Sequence, residues 1–213
     1  MTLDALLAHP DGARLARALE DRPGHRLPPA EGMREAAIAL VLRPGAEGHP
    51  ELLMIKRAEL ERDPWSGHVA CPGGRRDPAD HDLEATAIRE TWEETGIDLA
   101  SEGRVLGTLD DISPRTPVLP PLIIRPYVAA VRPGLPIVQS SEVAEAFWVP
   151  VAALRERAAW GTGLVPIRGI GERQVQVFRH GPYTVWGLTE RVLRQFLAYL
   201  GEPVEDEETR LSF

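Results

Sequence analysis

Two apolar runs divided by a turn constrain this chain more than any other feature. Residues 35–42 (EAAIALVL) and 51–58 (ELLMIKRA) flank RPGAEGHP, a segment built from residues that reverse a chain. Short apolar runs bounded by glycine and proline read as strands, so a sheet is expected to begin near Glu35. Further strands are expected at 68–72, 104–109, 121–131, 145–150, 174–178 and 183–186, with helices over 83–95, 151–158 and 188–200. Upstream, Leu3, Leu6 and Leu7 and then Leu15, Ala18 and Leu19 recur at helical spacing, broken by Pro10 and ended by Pro23 and Pro28. The expected division is an N-terminal helical extension (1–34), one mixed α+β domain (35–200) and an acidic C-terminal tail (201–213).

Charge and composition narrow the partners. A net charge of -8 argues against broad nucleic-acid binding, which needs clustered Lys and Arg. No apolar run approaches the roughly 20 residues that span a bilayer, and the N-terminus lacks the apolar stretch and small-residue cleavage site of an export signal. Cys71 is the single cysteine and cannot close an internal disulfide. A reducing, cytoplasmic setting is therefore expected, with a small-molecule partner and neither nucleic acid nor membrane; a homodimer is compatible with the sequence.

The chemistry concentrates on the helix expected over 83–95. At about 100° per residue, Glu90, Glu93 and Glu94 fall within an arc of about 100°, whereas Ala85, Ile88 and Trp92 fall opposite and are expected to form the buried stripe. Glu90 and Glu94 repel at i,i+4, and Arg89 can reach Glu93 at the same spacing. A solvated acidic face is one reading. The other is a hard divalent cation, which takes carboxylate and phosphate oxygens together. Pro72-Gly73-Gly74 just upstream permits the close backbone approach such a site needs. Cys71 reads as a small buried hydrophobe, Trp148 and Trp186 as core residues, and His68 and His81 lack a second histidine at zinc-ligand spacing.

Gly74, Asp80 and Arg89-Glu90-Thr91-Trp92-Glu93-Glu94-Thr95-Gly96-Ile97 resemble the Nudix box, the signature of hydrolases of nucleoside diphosphates linked to another group. Asp80 stands where the family usually has glutamate, with one extra residue before Arg89. The resemblance implies an α/β/α sandwich with a mixed sheet and a loop-helix-loop that binds Mg²⁺ or Mn²⁺. By position, Glu90 and Glu94 become metal ligands, Glu93 a further ligand or base, the Gly73 carbonyl a ligand, and Arg89 the group that orients the glutamates. The implied reaction is water attack on one phosphorus, assisted by the metal and a general base. That base often lies on a separate loop in the family, which points to Glu142, with Glu145 as the second choice.

The substrate is narrowed by a second resemblance. Leu53-Met54-Ile55-Lys56-Arg57, Arg62 and Gly67-His68-Val69-Ala70-Cys71-Pro72-Gly73-Gly74 resemble the motif of the coenzyme A diphosphatase branch, which shares the extra residue in the box and Trp186-Gly187-Leu188-Thr189. Ala58 replaces a usual serine, Cys71 a usual phenylalanine, and the Arg62–Gly67 interval is one residue longer. The implied substrate is coenzyme A or an acyl derivative. Arg57 and Arg62 would then bind its additional phosphate through paired guanidinium donors, and Gly74 would lie against the substrate. Trp65 either packs on adenine or pantetheine or covers core. The alternatives are ADP-ribose, NADH or a nucleotide sugar, and a non-catalytic nucleotide-sensing module, whose mark would be erosion of the box glutamates.

Overall fold

The first apolar run forms β1 (Arg34–Pro44) and the second β2 (Pro50–Arg57), antiparallel to each other. Because side chains alternate along a strand, Leu40 and Leu42 of β1 enter one core while Ala37, Ala39 and Val41 enter another on the opposite face. A strand buried on both faces has no polar alternation, which is why the run reads as continuously apolar. The computed structural model describes residues 3–29, 31–59, 65–114, 121–167 and 171–204.

β1 and β2 pair only at their turn, Leu42–Pro44 with Leu52–Pro50, and then part. Two short strands fill the opening: β3 (Val69–Ala70) pairs with Ile55 and Lys56 of β2, and β4 (Gly73–Arg75) pairs with Ala36–Ile38 of β1. Between them Pro72 accepts a 2.8 Å hydrogen bond from the Ala39 amide. The chain then forms α3 (Leu83–Thr95), α4 (Leu99–Glu102) and β5 (Gly103–Thr108), and returns as β6 (Leu122–Val131), parallel to β1 and antiparallel to β5. Finally β7 (Val143–Pro150) runs antiparallel along β2. One parallel pair among antiparallel ones makes the sheet mixed, as expected.

Helix α3 covers the face carrying Ala37, Ala39 and Val41, with Leu83, Ala87, Ile97 and Leu99 in that core. The opposite face is covered by α1 (Leu3–Ala8), α2 (Pro10–Asp21) and α6 (Leu188–Tyr199). The expected α/β/α layering is present. Leu6, Leu15 and Leu19 are fully buried in the same core as Phe196 and Leu109, so the N-terminal helices are part of a layer.

Three expectations differ from the structure. Helix α5 spans only Val151–Leu154 and gives way to a 3-10 turn at Arg157–Ala159, where a helix to 158 was expected. Strand β8 (Trp160–Ile167) was not foreseen; with β9 (Gly171–His180) and β10 (Tyr183–Trp186) it makes a second, antiparallel sheet. The buried stripe of α3 is Leu83, Thr86, Ala87, Thr91, Glu94 and Thr95, not Ala85, Ile88 and Trp92; Trp92 is 58% exposed. Trp148 is half-buried beneath the Arg43 guanidinium and packs on the α3-side core, while Trp186 is half-buried against His68.

Candidate active site

Helix α3 starts where the Asp82 side chain accepts a hydrogen bond from the Ala85 amide and stops where Gly96 takes left-handed backbone at φ 72°. Its inward face puts Glu94 against the sheet at the opening between β1 and β2. There the Gly73 amide donates to Glu94 Oε2 at 2.9 Å, and Arg57, the last residue of β2, places Nη1 3.6 Å from Glu94 Oε1. Gly73 is sterically required, and Gly74 lets the Glu90 carboxylate lie close to the backbone. A Cβ on Gly73, whose φ is 153°, would meet the Ala37 carbonyl oxygen at 2.4 Å; one on Gly74 would meet the Glu90 carboxylate at 2.5 Å.

Arg89 is the hub of the outer half of the site. Its Nε and Nη2 grip Asp80 at 3.0 Å each, its Nη2 also donates to the Arg75 carbonyl, and its Nη1 donates at 2.9 Å to both Glu90 and Glu93. Asp80 is buried and further held by Thr86 Oγ1 and the Asp77 amide, each at 2.9 Å. Those hydrogen bonds, that of Arg89 first, keep the Asp80 carboxyl well below the usual aspartate range. A role for Asp80 was not read from the sequence; the structure gives it that of anchoring Arg89. Arg89 was expected to reach Glu93 and in fact reaches Glu90 as well.

Glu142 arrives from the loop before β7. That loop is tied to the C-terminal end of α3 through Val138 N to Thr95 O (2.8 Å) and Ser140 N to Glu94 O (3.3 Å), and to the end of β2 through Ala58 N to Glu142 O (2.8 Å). Its negative charge is felt by both Glu90 and Glu94. Glu145 instead sits on β7 opposite Lys56 and hydrogen-bonds the Tyr183 hydroxyl. Cys71 is buried in the core, where desolvation, with Glu94 adding to it, pushes its thiol up to about 12 and leaves it inert as a nucleophile. Arg62 lies outside the described residues.

Burial is the main cause that raises Glu90 and pushes Glu94 up to about 7; the Gly73 amide and Arg57 oppose it at Glu94, and Glu90 and Glu142 reinforce it. Among the described residues no three His, Cys, Asp or Glu side chains are gathered tightly enough to hold a metal ion as they stand; Glu90 and Glu93 are engaged by Arg89, and Glu94 by the Gly73 amide. The donor chemistry fits a hard divalent cation all the same. Glu94 is only 4% exposed and stands beside two further carboxylates with incomplete compensation, the condition that an oxygen-seeking cation relieves.

A mixed sheet between helical layers, with a carboxylate-lined helix set against a double glycine, defines a protein of the Nudix fold class. Residues 32–166 match the family described as the NUDIX domain, and the chain belongs to that family, which generally uses divalent metal ions. It is 37% identical over 174 residues to the human mitochondrial coenzyme A diphosphatase NUDT8, covering 78% of this chain and 70% of that protein. It is 32% identical over 164 residues to the peroxisomal coenzyme A diphosphatase ndx-8 of Caenorhabditis elegans, covering 75% and 66%. A Nudix hydrolase structure from Alicyclobacillus acidocaldarius superposes with a TM-score of 0.52 at 22% identity, covering 85% of this chain and 96% of that one, and shares the fold. No helix among the described residues is long and apolar enough to cross a membrane.

Proposed function

We propose that this protein hydrolyses the diphosphate bond of coenzyme A or an acyl-coenzyme A, giving a phosphopantetheine product and adenosine 3',5'-bisphosphate. The observation that carries the reading is Glu94, a buried and under-compensated carboxylate grouped with Glu90 and Glu142 beneath the Gly73 amide. The coenzyme A diphosphatases among the relatives, together with the motif around Arg57 and Gly67–Gly74, support the substrate.

Glu90, Glu94 and Glu93, with the Gly73 carbonyl, would hold Mg²⁺ or Mn²⁺. Bound there, the ion supplies Lewis-acid stabilisation of charge on the diphosphate oxygens. Glu142 is the general base: it takes the proton of the attacking water, and its loop is fastened to both β2 and α3. Arg89 holds Glu90 and Glu93 in place and is itself held by Asp80. Gly74, whose lack of a side chain lets the Glu90 carboxylate lie close, would lie against the diphosphate. Arg57, with Arg62, takes the additional phosphate that distinguishes coenzyme A from other nucleotides. The substrate is a small molecule and the working compartment the cytoplasm.

Turnover of coenzyme A, acetyl-coenzyme A, ADP-ribose, NADH and a nucleotide sugar with Mg²⁺ and Mn²⁺ tests the proposal. Preferred hydrolysis of the coenzyme A compounds is expected; equal or better turnover of ADP-ribose or NADH overturns the substrate. An Arg57→Ala, Arg62→Ala enzyme that keeps full selectivity for coenzyme A over its form lacking the 3'-phosphate overturns the phosphate clamp.

A further inference from the structure

Two arginines serve the glutamates. Arg89 is locked: Asp80 takes two of its nitrogens at 3.0 Å and the Arg75 carbonyl is a further acceptor. Arg57 meets Glu94 Oε1 at 3.6 Å, an ion pair beyond hydrogen-bond length. The other Glu94 oxygen already accepts from the Gly73 amide at 2.9 Å, so Oε1 is the oxygen with unused capacity. Arg57 stands at the end of β2, where the strand shifts register against β7 between Lys56 and Arg57, and its side chain is 22% exposed at the mouth of the site. It is thus a cation on the free oxygen of a proposed metal ligand, and one that faces the solution from which ions and substrate arrive.

We infer that Arg57 is a positioning residue that acts as the resident counter-charge of Glu94 in the metal-free protein and competes with the divalent cation for that carboxylate. This rests on the reading of Glu94 as a metal ligand. A guanidinium a few ångströms from a site of like charge weakens cation binding by ordinary Coulomb repulsion, and when it turns to a phosphate that repulsion falls. By linkage, an anion that engages Arg57 must then tighten metal binding, and the metal must tighten anion binding by the same factor. Arg57 thereby makes the site favour metal and phosphorylated substrate together over either alone.

The test is Mn²⁺ binding, followed by the electron paramagnetic resonance of the free ion, to the full-length wild-type, Arg57→Ala, Arg57→Lys and Glu94→Gln proteins without substrate. Circular dichroism melts accompany each variant. The inference expects Arg57→Ala to bind Mn²⁺ roughly three- to tenfold more tightly than wild type, with Arg57→Lys close to wild type. It also expects adenosine 3',5'-bisphosphate to tighten Mn²⁺ binding in wild type and to lose that effect in Arg57→Ala. Equal or weaker Mn²⁺ binding by a folded Arg57→Ala protein, with Glu94→Gln reducing binding, overturns this inference alone. Unchanged Mn²⁺ binding by Glu94→Gln overturns the metal-ligand reading beneath it. If Arg57→Ala does not fold, Arg57→Gln and the effect of adenosine 3',5'-bisphosphate on wild-type Mn²⁺ affinity decide in the same way.

Discussion

Asp111 and Glu94 are both carboxylates withdrawn from water, and the protein treats them oppositely. Asp111, just beyond β5, is gripped at both oxygens by Arg125 (2.8 and 2.9 Å), accepts from the Leu27 amide at 3.0 Å and has Arg26 at 3.6 Å. Burial works to raise its pKa, yet these partners win and hold it below the usual aspartate value of 3.8. Glu94 has one amide and one distant arginine against burial and two like-charged neighbours, and its pKa rises to about 7. Full compensation marks a carboxylate that fastens the N-terminal segment to the sheet. Incomplete compensation marks one kept ready for a partner the chain does not supply.

Several substitutions would break or sharpen that contrast. The largest effect is expected of Glu94→Gln: turnover with saturating Mg²⁺ falls by about 10³-fold or more, while the melting temperature of the metal-free protein stays level or rises, because a buried charge has been removed. Full turnover in that variant would end the contrast. Asp111→Ala should do the reverse, costing about 2–4 kcal/mol in denaturant unfolding by stranding Arg125, with turnover per folded molecule retained. Asp80→Asn sits between them. It should lower turnover about 10–100-fold by loosening Arg89, as loss of a supporting residue does elsewhere, and a kcat loss with unchanged substrate KM is the pattern to look for.

The two carboxylates also predict opposite responses to pH. Asp111 has a depressed folded pKa, so its stabilisation is present above 3.8 and is lost as the pH falls through its folded value. Glu94 has a raised one, so the chelated protein loses stability as the pH rises from 4.5 towards 7. Melts in chelator should therefore show Glu94→Gln gaining on wild type across that upper window and Asp111→Asn closing on wild type in acid. The smallest effect is expected of Trp92→Gln on the outward face of α3, within about 0.5 kcal/mol of wild type.

Much of the fold was legible in the sequence because its signals are local. The span Leu83–Thr95 follows from where the pattern begins and from Gly96, and β1 and β2 follow from their apolar runs. The inward face of α3 was misread because Thr91 and Thr95 turn their hydroxyls back to the carbonyls of Ala87 and Thr91, at 2.7 and 2.6 Å. With the hydroxyl satisfied inside the helix, threonine packs as an apolar residue, which a division into polar and apolar cannot anticipate. Strand β8 was hidden by Gly161, Gly163 and Pro166, which read as breakers but are tolerated on the edge strand of a small sheet. Of the candidate site, Gly74, Arg89, Glu90, Glu93 and Glu94 are read from one motif, and Arg57 and Glu142 from the wider family resemblance; that the ends of β2 and of the loop before β7 meet beside α3 depends on long-range pairing. Asp80 was visible as a departure from the family pattern, but its grip on Arg89 depends on a turn geometry that no spacing discloses.

The short strands that part β1 from β2 give the site an unusual mounting. Gly73 is laced to Ile38 on one flank, and three residues back Ala70 of the same segment is laced to Ile55 on the other, so its amide cannot drift without straining both ladders. The nitrogen that greets Glu94 therefore belongs to the sheet's own framework, as a keystone belongs to its arch. Thermal agitation of the surrounding loops should leave that spacing untouched until the sheet itself opens.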